Sequence, residues 1–283
     1  MVQFRNPAGS LRARRVRWAL LLGVVCLAGY AWLIEPAWVD VVVQEVKTPH
    51  GGSPVRVVQL SDLHLRGVGR TEQRVLAELI ALAPDVVLLT GDMVDRADAL
   101  PLLEDFLARL RSSAVLRDIP LIAAYGNWEY WGGVDLAALQ ALYRRHGVQL
   151  LVNACASIAP RGRPLFVLGL DDYTEGRPDL AKAEATCPAT KAERLLVQHS
   201  PGYFEGAAVR PAYPVLFSVA GHTHGGQVTA FGKAVWTPPG SGPFNRGWYE
   251  TSVGPLWVSK GIGTSVAPIR FGARPELVLF VIR

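Results

Sequence analysis

Side chains able to bind metal ions follow several apolar, strand-like runs of this 283-residue sequence. They occur in five short blocks, which read in order SDLH, TGD, GN, QHS and GHTH. The candidate ligands in these blocks are Asp62, His64, Asp92, Asn127, His199, His222 and His224. All seven offer nitrogen or oxygen and none offers sulfur. This donor set suits divalent ions such as Mn²⁺, Fe²⁺ or Zn²⁺, without choosing among them.

Each block alone has an ordinary structural explanation. Asn127 after Gly126 is a good turn former, and a single histidine such as His199 is usually a core residue. The blocks become informative together, because ligands of open α/β sheets bind outside the carboxyl ends of the strands. Seven ligands exceed what one ion needs, so two ions about 3.5–4 Å apart that share a carboxylate fit better. Such a pair clamps a phosphate and lowers the pKa of a bound water.

The elements that must position these residues alternate along the first half of the chain. Apolar, β-branched runs predict strands, and spacing typical of amphipathic helices predicts helices between them. The strands are expected over 55–62, 85–92 and 120–127, and the helices over 71–83, 100–111 and 134–147. This order predicts a largely parallel sheet. The second half is richer in strands, with a helix near 178–186 and a long Gly/Pro-rich loop over 237–254.

The N-terminus carries an uncharged apolar run over 18–34, about 26 Å long as a helix at about 1.5 Å per residue. Five arginines precede it, at positions 5, 12, 14, 15 and 17, and acidic residues follow it. The positive-inside rule therefore predicts a single-pass anchor of the inner membrane with residues 1–17 in the cytoplasm. A linker over 35–54 and a catalytic domain over 55–283 would lie outside. The alternative is a cleaved signal peptide and a secreted domain.

The charge of the chain bears on whether it binds nucleic acid, and its cysteines bear on whether the domain is exported. Removing the five N-terminal arginines from the 29 basic residues leaves 24, which equals the 24 acidic residues. The neutral remainder does not indicate a nucleic-acid partner. Cys155 and Cys187 are either two inert thiols or, if the domain is exported, a disulfide.

The ordered blocks Asp62-x-His64, Gly91-Asp92, Gly126-Asn127, His199 and Gly221-His222-Thr223-His224 resemble the calcineurin-like metallophosphoesterase superfamily over residues 55–283. The resemblance implies a four-layer α/β/β/α sandwich with two central mixed sheets. It also implies that Asp62, His64 and His224 bind a first metal, that Asn127, His199 and His222 bind a second, and that Asp92 bridges them. A phosphodiester or pyrophosphate bond would be the substrate.

The C-terminal sequence LWVSKGIGTSVAPIRFGARPE is similar to that of the bacterial membrane-anchored or secreted branch of this superfamily. Relatives of that branch include the UDP-2,3-diacylglucosamine hydrolases of lipid A biosynthesis. The resemblance therefore favours a lipid-linked or cell-envelope substrate.

Trp128 stands where the superfamily usually has a histidine after Gly-Asn. An indole cannot act as a general acid, and such help is worth about 10²–10⁴-fold. The loss matters least for a good leaving group, so Trp128 favours pyrophosphates or activated diesters. The UDP-2,3-diacylglucosamine hydrolases also replace this histidine. The alternative is a metal-binding envelope protein with a dead, non-catalytic site marked by Trp128.

Other residues near the blocks have less definite roles. The aromatic residues Trp128, Tyr130 and Trp131 either contact a lipid, sugar or base or are ordinary core. The 237–249 segment, with Phe244, Arg246 and Trp248, is a candidate cover for the site, and Arg246 or Arg270 is a candidate partner of the phosphate. The acidic residues Asp95, Glu129, Asp171 and Asp172 are expected to support ligands or to lie at the surface. His50 and His146 are expected to be non-functional.

Overall fold

The computed structural model describes residues 7–49, 51–190, 192–206 and 210–283. Arg5 and His50 therefore lie outside the described residues. The helices are α1 Pro7–Gly29, α2 Arg70–Leu82, α3 Leu100–Ser112, α4 Asn127–Trp131, α5 Leu136–Arg145 and α6 Leu180–Ala185. The strands are β1 Asp40–Val46, β2 Val55–Leu60, β3 Val86–Thr90, β4 Leu121–Ala124, β5 Val148–Leu150, β6 Ala154–Ile158, β7 Leu165–Gly169, β8 Glu193–Val197, β9 Phe217–Ala220, β10 Thr229–Ala230, β11 Lys233–Ala234, β12 Gly247–Thr251, β13 Gly254–Val258 and β14 Glu276–Ile282.

Two six-stranded mixed sheets form the body of the α/β fold. The first has the order β1-β14-β2-β3-β4-β5, and the second has the order β12-β13-β9-β8-β7-β6. Strands β2 to β5 are parallel, as their alternation with helices predicts, and β14 joins them antiparallel to β2. In the second sheet, β7, β8, β9 and β13 are parallel, with antiparallel β6 and β12 at the edges.

Three apolar cores hold these elements together. One lies between the first sheet and the helices α2, α3 and α5, whose buried side chains include Leu79, Phe106 and Leu139. A second contains residues from both sheets, such as Val57 and Val197. A third contains residues of the second sheet and of α6. Both sheets are thus buried through side chains on both faces, which explains their nearly continuous apolar sequences.

Helix α1 begins earlier than the predicted segment 18–34 and includes the described part of the basic flank. It continues as a π-helical turn, Tyr30–Ile34, and a 3-10 turn, Glu35–Ala37. Among the described residues, only the segment Ala13–Ala37 is long and apolar enough to cross a membrane, and it is almost entirely exposed. Its length and composition suit a membrane span or a signal sequence.

The end of this helical segment contacts residues 270–273 of the domain in three places. The Ala31 carbonyl accepts a hydrogen bond from the Arg270 N–H (2.9 Å), and the buried Glu35 carboxylate accepts one from the Ala273 N–H (2.8 Å). The Tyr30 ring meets the Phe271 ring edge-on, with centroids 6.4 Å apart. The segment therefore meets the domain at residues 270–273.

Two segments differ from the sequence-based prediction. The expected linker 35–54 contains β1, which pairs in parallel with β14 at the edge of the first sheet. This pairing was missed because the partner strand lies more than 200 residues away. The expected loop 237–254 contains β12, which forms a hairpin with β13. Its Gly and Pro residues are confined mostly to the first half, before residue 247.

A disulfide joins Cys155, in β6, to Cys187, just after α6. The sequence alone allows either this disulfide or two free thiols, and the structure has the disulfide. Cys26 is a free, exposed thiol in α1.

We expect the double variant Cys155→Ser/Cys187→Ser to lose about 2–4 kcal/mol of unfolding free energy, because a crosslink reduces the conformational freedom of the unfolded chain. Urea unfolding of the full chain, followed by circular dichroism, measures this loss. Cys26→Ser is the matched control and should unfold at the wild-type midpoint. Equal midpoints for all three proteins would show that the bridge does not contribute.

Candidate metal centre

The carboxyl ends of five strands from both sheets meet at one place. Strands β2, β3 and β4 of the first sheet lead into Asp62, Asp92 and Asn127, and strands β8 and β9 of the second lead into His199 and His222. Polar contacts connect the sheets here. The buried amide of Gln59 donates to the Ala220 carbonyl (2.9 Å) and to the Thr90 hydroxyl (3.1 Å). The structure thus brings together residues separated by up to about 160 positions.

The first group of buried ligand atoms belongs to Asp62, His64 and His224. His64 Nε2 lies 3.1 Å from His224 Nε2, and His224 Nε2 lies 3.5 Å from Asp62 Oδ1. The ligand atoms of this group all lie within 4.8 Å of one another, so a single ion could contact all three residues.

The second group consists of Asp92, His199 and His222, with Asn127 beside it. His199 Nε2 lies 3.1 Å from Asp92 Oδ2, and His222 Nδ1 lies 2.8 Å from Asn127 Oδ1. The Asp92 carboxylate also lies 3.6 Å from His64 Nε2 of the first group. Asp92 is therefore the carboxylate placed between the two groups.

The outer hydrogen bonds of two histidines, His199 and His222, fit metal binding. His199 Nδ1 lies 2.7 Å from the Thr90 carbonyl, which can only accept, so this nitrogen carries a proton. His199 Nε2 is then the nitrogen that faces the centre, 3.1 Å from Asp92 Oδ2, and it would present a lone pair to a metal once its proton leaves. In the same way, His222 Nε2 donates to the Pro239 carbonyl (2.7 Å) and leaves Nδ1 facing Asn127. Such outer hydrogen bonds orient metal-binding imidazoles.

The electrostatics of the groups favour added positive charge. Burial raises the pKa of Asp62 to about 6. Burial would lower the pKa of His199, but the charges of Asp92 and Asp62 hold it well above its usual value. Burial lowers the pKa of His64 to about 4, which leaves a neutral ring whose lone pair can bind a metal. The two carboxylates thus attract a cation, and divalent ions satisfy them together with the neutral rings.

Five of the seven candidate ligands have a left-handed backbone: Asp62 (φ 53°), His64 (43°), Asp92 (53°), His222 (70°) and His224 (49°). Such conformations cost about 1–3 kcal/mol each and persist only where the surroundings enforce them. Part of the enforcement comes from hydrogen bonds between the ligand loops, since the His64 N–H donates to the Asp92 carbonyl (3.0 Å). The strain is concentrated where side chains must leave the strand direction to reach a common point.

Glu129 is a central support of the ligand loops. Its fully buried carboxylate accepts hydrogen bonds from the backbone N–H groups of Asp92 (3.0 Å), Met93 (2.8 Å) and Gly126 (2.8 Å). It thereby ties the β3 loop to the β4 loop. The sequence allows Glu129 either to support ligands or to lie at the surface. A glutamate three residues after Gly126 is, however, typical of a helix start.

Glycines precede three of the ligands for a steric reason. A side chain at Gly126 would collide with the Asp92 carboxylate, and one at Gly221 would collide with Ser61 and with the Asp62 carboxylate. The loops therefore approach one another too closely for a Cβ atom. This packing explains the Gly-Asn and Gly-His pairs in physical terms.

A cavity of about 670 Å³ opens beside the two groups. Asn127, His222 and His224 form part of its wall. Most of the remaining wall is apolar and includes Trp128, Trp131, Trp236, Val266 and Ile269. Trp128 packs edge-on against His64, with ring centroids 5.9 Å apart, and against Trp131 (5.8 Å). Trp128 is therefore a wall of the cavity and not only core.

Arg270 does not face this cavity, contrary to the prediction. It is fully buried, and its guanidinium donates to the carbonyls of Gly263, Ala273, Lys260 and His224. All its donors are used within the protein, so it holds the loop behind His224 and is not available to a phosphate.

The 237–249 segment covers the centre only in part. Pro238 and Pro239 line the cavity, but Phe244 is buried in the third core, and Trp248 packs against Trp257 and Phe280. Arg246 donates to the carbonyls of Gly232 and Gly272 and does not line the cavity. The loop is therefore only a partial cover, and the position of Arg246 does not support its predicted role as a partner of the phosphate.

The remaining acidic residues are supports. Asp172 accepts hydrogen bonds from Ser200 and Thr174, and Asp171 accepts one from the Tyr130 hydroxyl. Asp95 pairs with Arg66 (3.2 Å) and lies 3.8 Å from His64 Nδ1. His146 follows α5, and its Nε2 lies 3.8 Å from Glu104, which is not a candidate ligand.

The sequence pattern of the calcineurin-like phosphoesterase family matches residues 55–226, which include all seven candidate ligands. The chain belongs to this family. Like other calcineurin-like phosphoesterases it is a metal-dependent enzyme, and divalent metals are implied by its two ligand groups. The non-catalytic alternative is thereby set aside.

The names of several relatives of this phosphoesterase include the word metallophosphoesterase. It is 28% identical over 262 residues to the uncharacterized metallophosphoesterase YkuE of Bacillus subtilis, covering 90% of this chain and 89% of the relative. It is 28% identical over 266 residues to a transmembrane protein with a metallophosphoesterase domain of Danio rerio, covering 88% of this chain and 57% of that protein. Among solved structures, a dimetal phosphatase of Danio rerio aligns with a TM-score of 0.43 at 13% identity, covering 74% of this chain and 88% of that one.

We expect Glu129→Gln to lower the unfolding free energy by about 1–3 kcal/mol, because one carboxylate oxygen becomes an NH₂ group that faces buried N–H donors. It should also lower the amount of divalent metal that the purified chain retains, since the Asp92 loop loses its anchor. Urea unfolding and elemental analysis measure the two effects. Glu78→Gln, which removes only a surface ion pair with Arg74, is the control and should change neither by much. Wild-type metal content in Glu129→Gln would contradict the anchoring role.

Proposed function

We propose that the seven residues Asp62, His64, Asp92, Asn127, His199, His222 and His224 hold two divalent ions and that the enzyme hydrolyses a phosphodiester or pyrophosphate bond. The observation that supports this most strongly is the placement of Asp92 between two buried ligand groups. When bound, such ions neutralise phosphate charge and activate water near neutral pH. Manganese, iron and zinc all suit the donor set.

The residues around the centre bear on which leaving groups can be expelled. Among the described residues that line the cavity, only His222 and His224 have ionisable side chains; burial lowers the pKa of both, and both are proposed ligands. Trp128 holds the position next to Asn127 and has no acidic proton to give. Its backbone N–H is also engaged, since it donates to Asp92 Oδ1 (2.8 Å). A substrate whose leaving group departs without a proton is therefore favoured, such as a pyrophosphate or an activated diester.

The apolar wall of the cavity favours an amphipathic substrate that is lipid-linked or part of the cell envelope. A UDP-2,3-diacylglucosamine-type pyrophosphate is the leading specific candidate, since it combines acyl chains with a good leaving group. One conflict concerns location. The arginine bias and the disulfide favour an extracytoplasmic domain, whereas lipid A precursors with a UDP head are made inside. On the outer side, another lipid-linked phosphoester would be the substrate.

The organisation of the chain is proposed on similar grounds. The exposed segment Ala13–Ala37 would be a single inner-membrane span, with residues 1–17 in the cytoplasm, or a signal sequence removed on secretion. The three cores support a four-layer α/β/β/α order for the domain. Its boundary would include β1 and so begin near residue 40 instead of residue 55.

The proposal is tested with the full chain in detergent, added Mn²⁺ and bis-p-nitrophenyl phosphate. We expect hydrolysis by the wild type and its loss on chelation. Asp92→Asn should lower turnover by at least about 10²-fold, since even groups outside the ligand shell typically contribute 10–100-fold. Asp98→Asn, at an exposed surface carboxylate, should be as active as the wild type. A metal-loaded wild type without any turnover would refute the proposal.

The role assigned to Trp128 is tested by comparing leaving groups. Trp128→His should raise the rate on diphenyl phosphate relative to bis-p-nitrophenyl phosphate by about 10²-fold or more, because an imidazole can protonate a poor leaving group. Trp128→Phe is the matched control, which changes the ring without adding an acid and should leave the ratio near that of the wild type. If Trp128→His and Trp128→Phe give the same ratio, the position does not govern leaving-group choice.

A further inference from the structure

The hairpin β10–β11 presents an exposed aromatic residue at its tip. Phe231 and Gly232 form the two-residue turn, with φ of 52° and 78°. Both left-handed values are usual for such turns, but the first position normally carries Asn, Asp or Gly. A phenylalanine there bears a conformational cost, and its side chain gains no packing in return, since it is 106% exposed. Neither the turn nor the core explains this residue.

Three further apolar side chains are exposed near the mouth of the cavity. Val235 and Trp236 follow the hairpin directly, and Val266 lies in the loop before Arg270. All three line the cavity as well. Val266 is 79% exposed with a φ of 60°, which is an outlier for a β-branched residue. We call Phe231, Val235, Trp236 and Val266 the apolar rim.

The apolar rim lies beside the end of the helical segment that could span a membrane. Phe271 connects the two, because its ring packs against Tyr30 and its carbonyl accepts a hydrogen bond from the Thr229 N–H of the hairpin (2.8 Å). Residue 229 is only two positions from Phe231. At about 3.3 Å per residue, the tip therefore lies within about 7 Å along the strand of the residue that meets the helix end.

Two cations accompany the rim. Lys233 is exposed in β11, and Arg246 reaches the hairpin turn, where its guanidinium donates to the Gly232 carbonyl (2.8 Å). Aromatic and aliphatic side chains with basic residues beside them are typical of surfaces that lie in the headgroup region of a bilayer. Arg246 therefore lies at the hairpin turn and not in the cavity, where the sequence predicts that it meets a phosphate.

We propose that the apolar rim inserts into the lipid bilayer that α1 enters, so that the cavity beside the metal centre opens directly onto the membrane interface. The partner is the lipid surface itself, recognised through apolar insertion and through attraction of Lys233 and Arg246 to phosphate headgroups. This inference rests on the proposed membrane anchor, and it adds a second, independent contact with the same bilayer. A lipid-linked substrate then reaches the centre without leaving the interface.

Insertion is tested with the full chain in vesicles of phosphatidylcholine and phosphatidylglycerol. Phe231→Cys in a Cys26→Ser background is labelled with an NBD fluorophore, and quenching by lipids with doxyl groups on their upper acyl carbons is measured. We expect quenching at least about twofold stronger than at the control Val115→Cys, because interfacial side chains insert about 5–10 Å. Val115 is also exposed but follows α3, at the opposite end of the strands. Equal quenching at both positions would overturn the proposal.

A catalytic comparison separates this inference from the proposed function. Phe231→Asp should lower turnover of hexadecyl p-nitrophenyl phosphate in the same vesicles severalfold, while turnover of water-soluble bis-p-nitrophenyl phosphate stays at the wild-type value. Val115→Asp should affect neither. An equal loss on both substrates, or no loss on either, would count against a membrane-facing rim. Strong quenching at residue 231 without hydrolysis by any variant would support insertion of the apolar rim and would refute the proposed function.

Discussion

The concentration of carboxylate charge and imidazole lone pairs in a buried space is the constraint on which the rest of the structure depends. Asp62 and Asp92 are fully buried, and His199 Nε2 lies 3.1 Å from Asp92 Oδ2 and 3.9 Å from Asp62 Oδ1. Without a cation such a group of atoms is unfavourable, since buried charges must be paired or coordinate a metal. The surrounding fold is organised to keep these atoms together. Glu129 anchors the loop backbones, and glycines such as Gly126 let the loops approach.

Two sheets, instead of one, supply the ligands. A single parallel sheet places its strand ends in a row about 4.8 Å apart, which favours a line of side chains over a cage. Here the second sheet brings its own strand ends against those of the first, and buried Gln59 joins them by donating to Ala220 and Thr90. The ligands can therefore surround a common volume. The left-handed backbone at Asp62 and His222 turns their side chains into it.

The parts of this architecture that local chemistry determines could be predicted from the sequence. The apolar strand runs, the helices between them and the polar residues at strand ends follow from periodicity, and His-x-His spacing is informative alone. The meeting of the ligands at the strand ends was predictable, but the pairing of other distant segments was not. The pairing of β1 with β14 and the burial of Arg270 behind His224 depend on where distant segments meet. Glu129 was underestimated because charged side chains are rarely buried, and only its three backbone donors justify the burial.

The position of β14 has a consequence for how the protein is made. This strand comes last among the described elements, yet it lies inside the first sheet, between β1 and β2. The growing polypeptide therefore has no inner partner for β1 until the ribosome has added residues 276–282. If translocation proceeds from the N-terminal segment onward, the sheet closes only after residues 276–282 have crossed. A truncation of the chain before residue 276 would thus remove an interior strand of the first sheet.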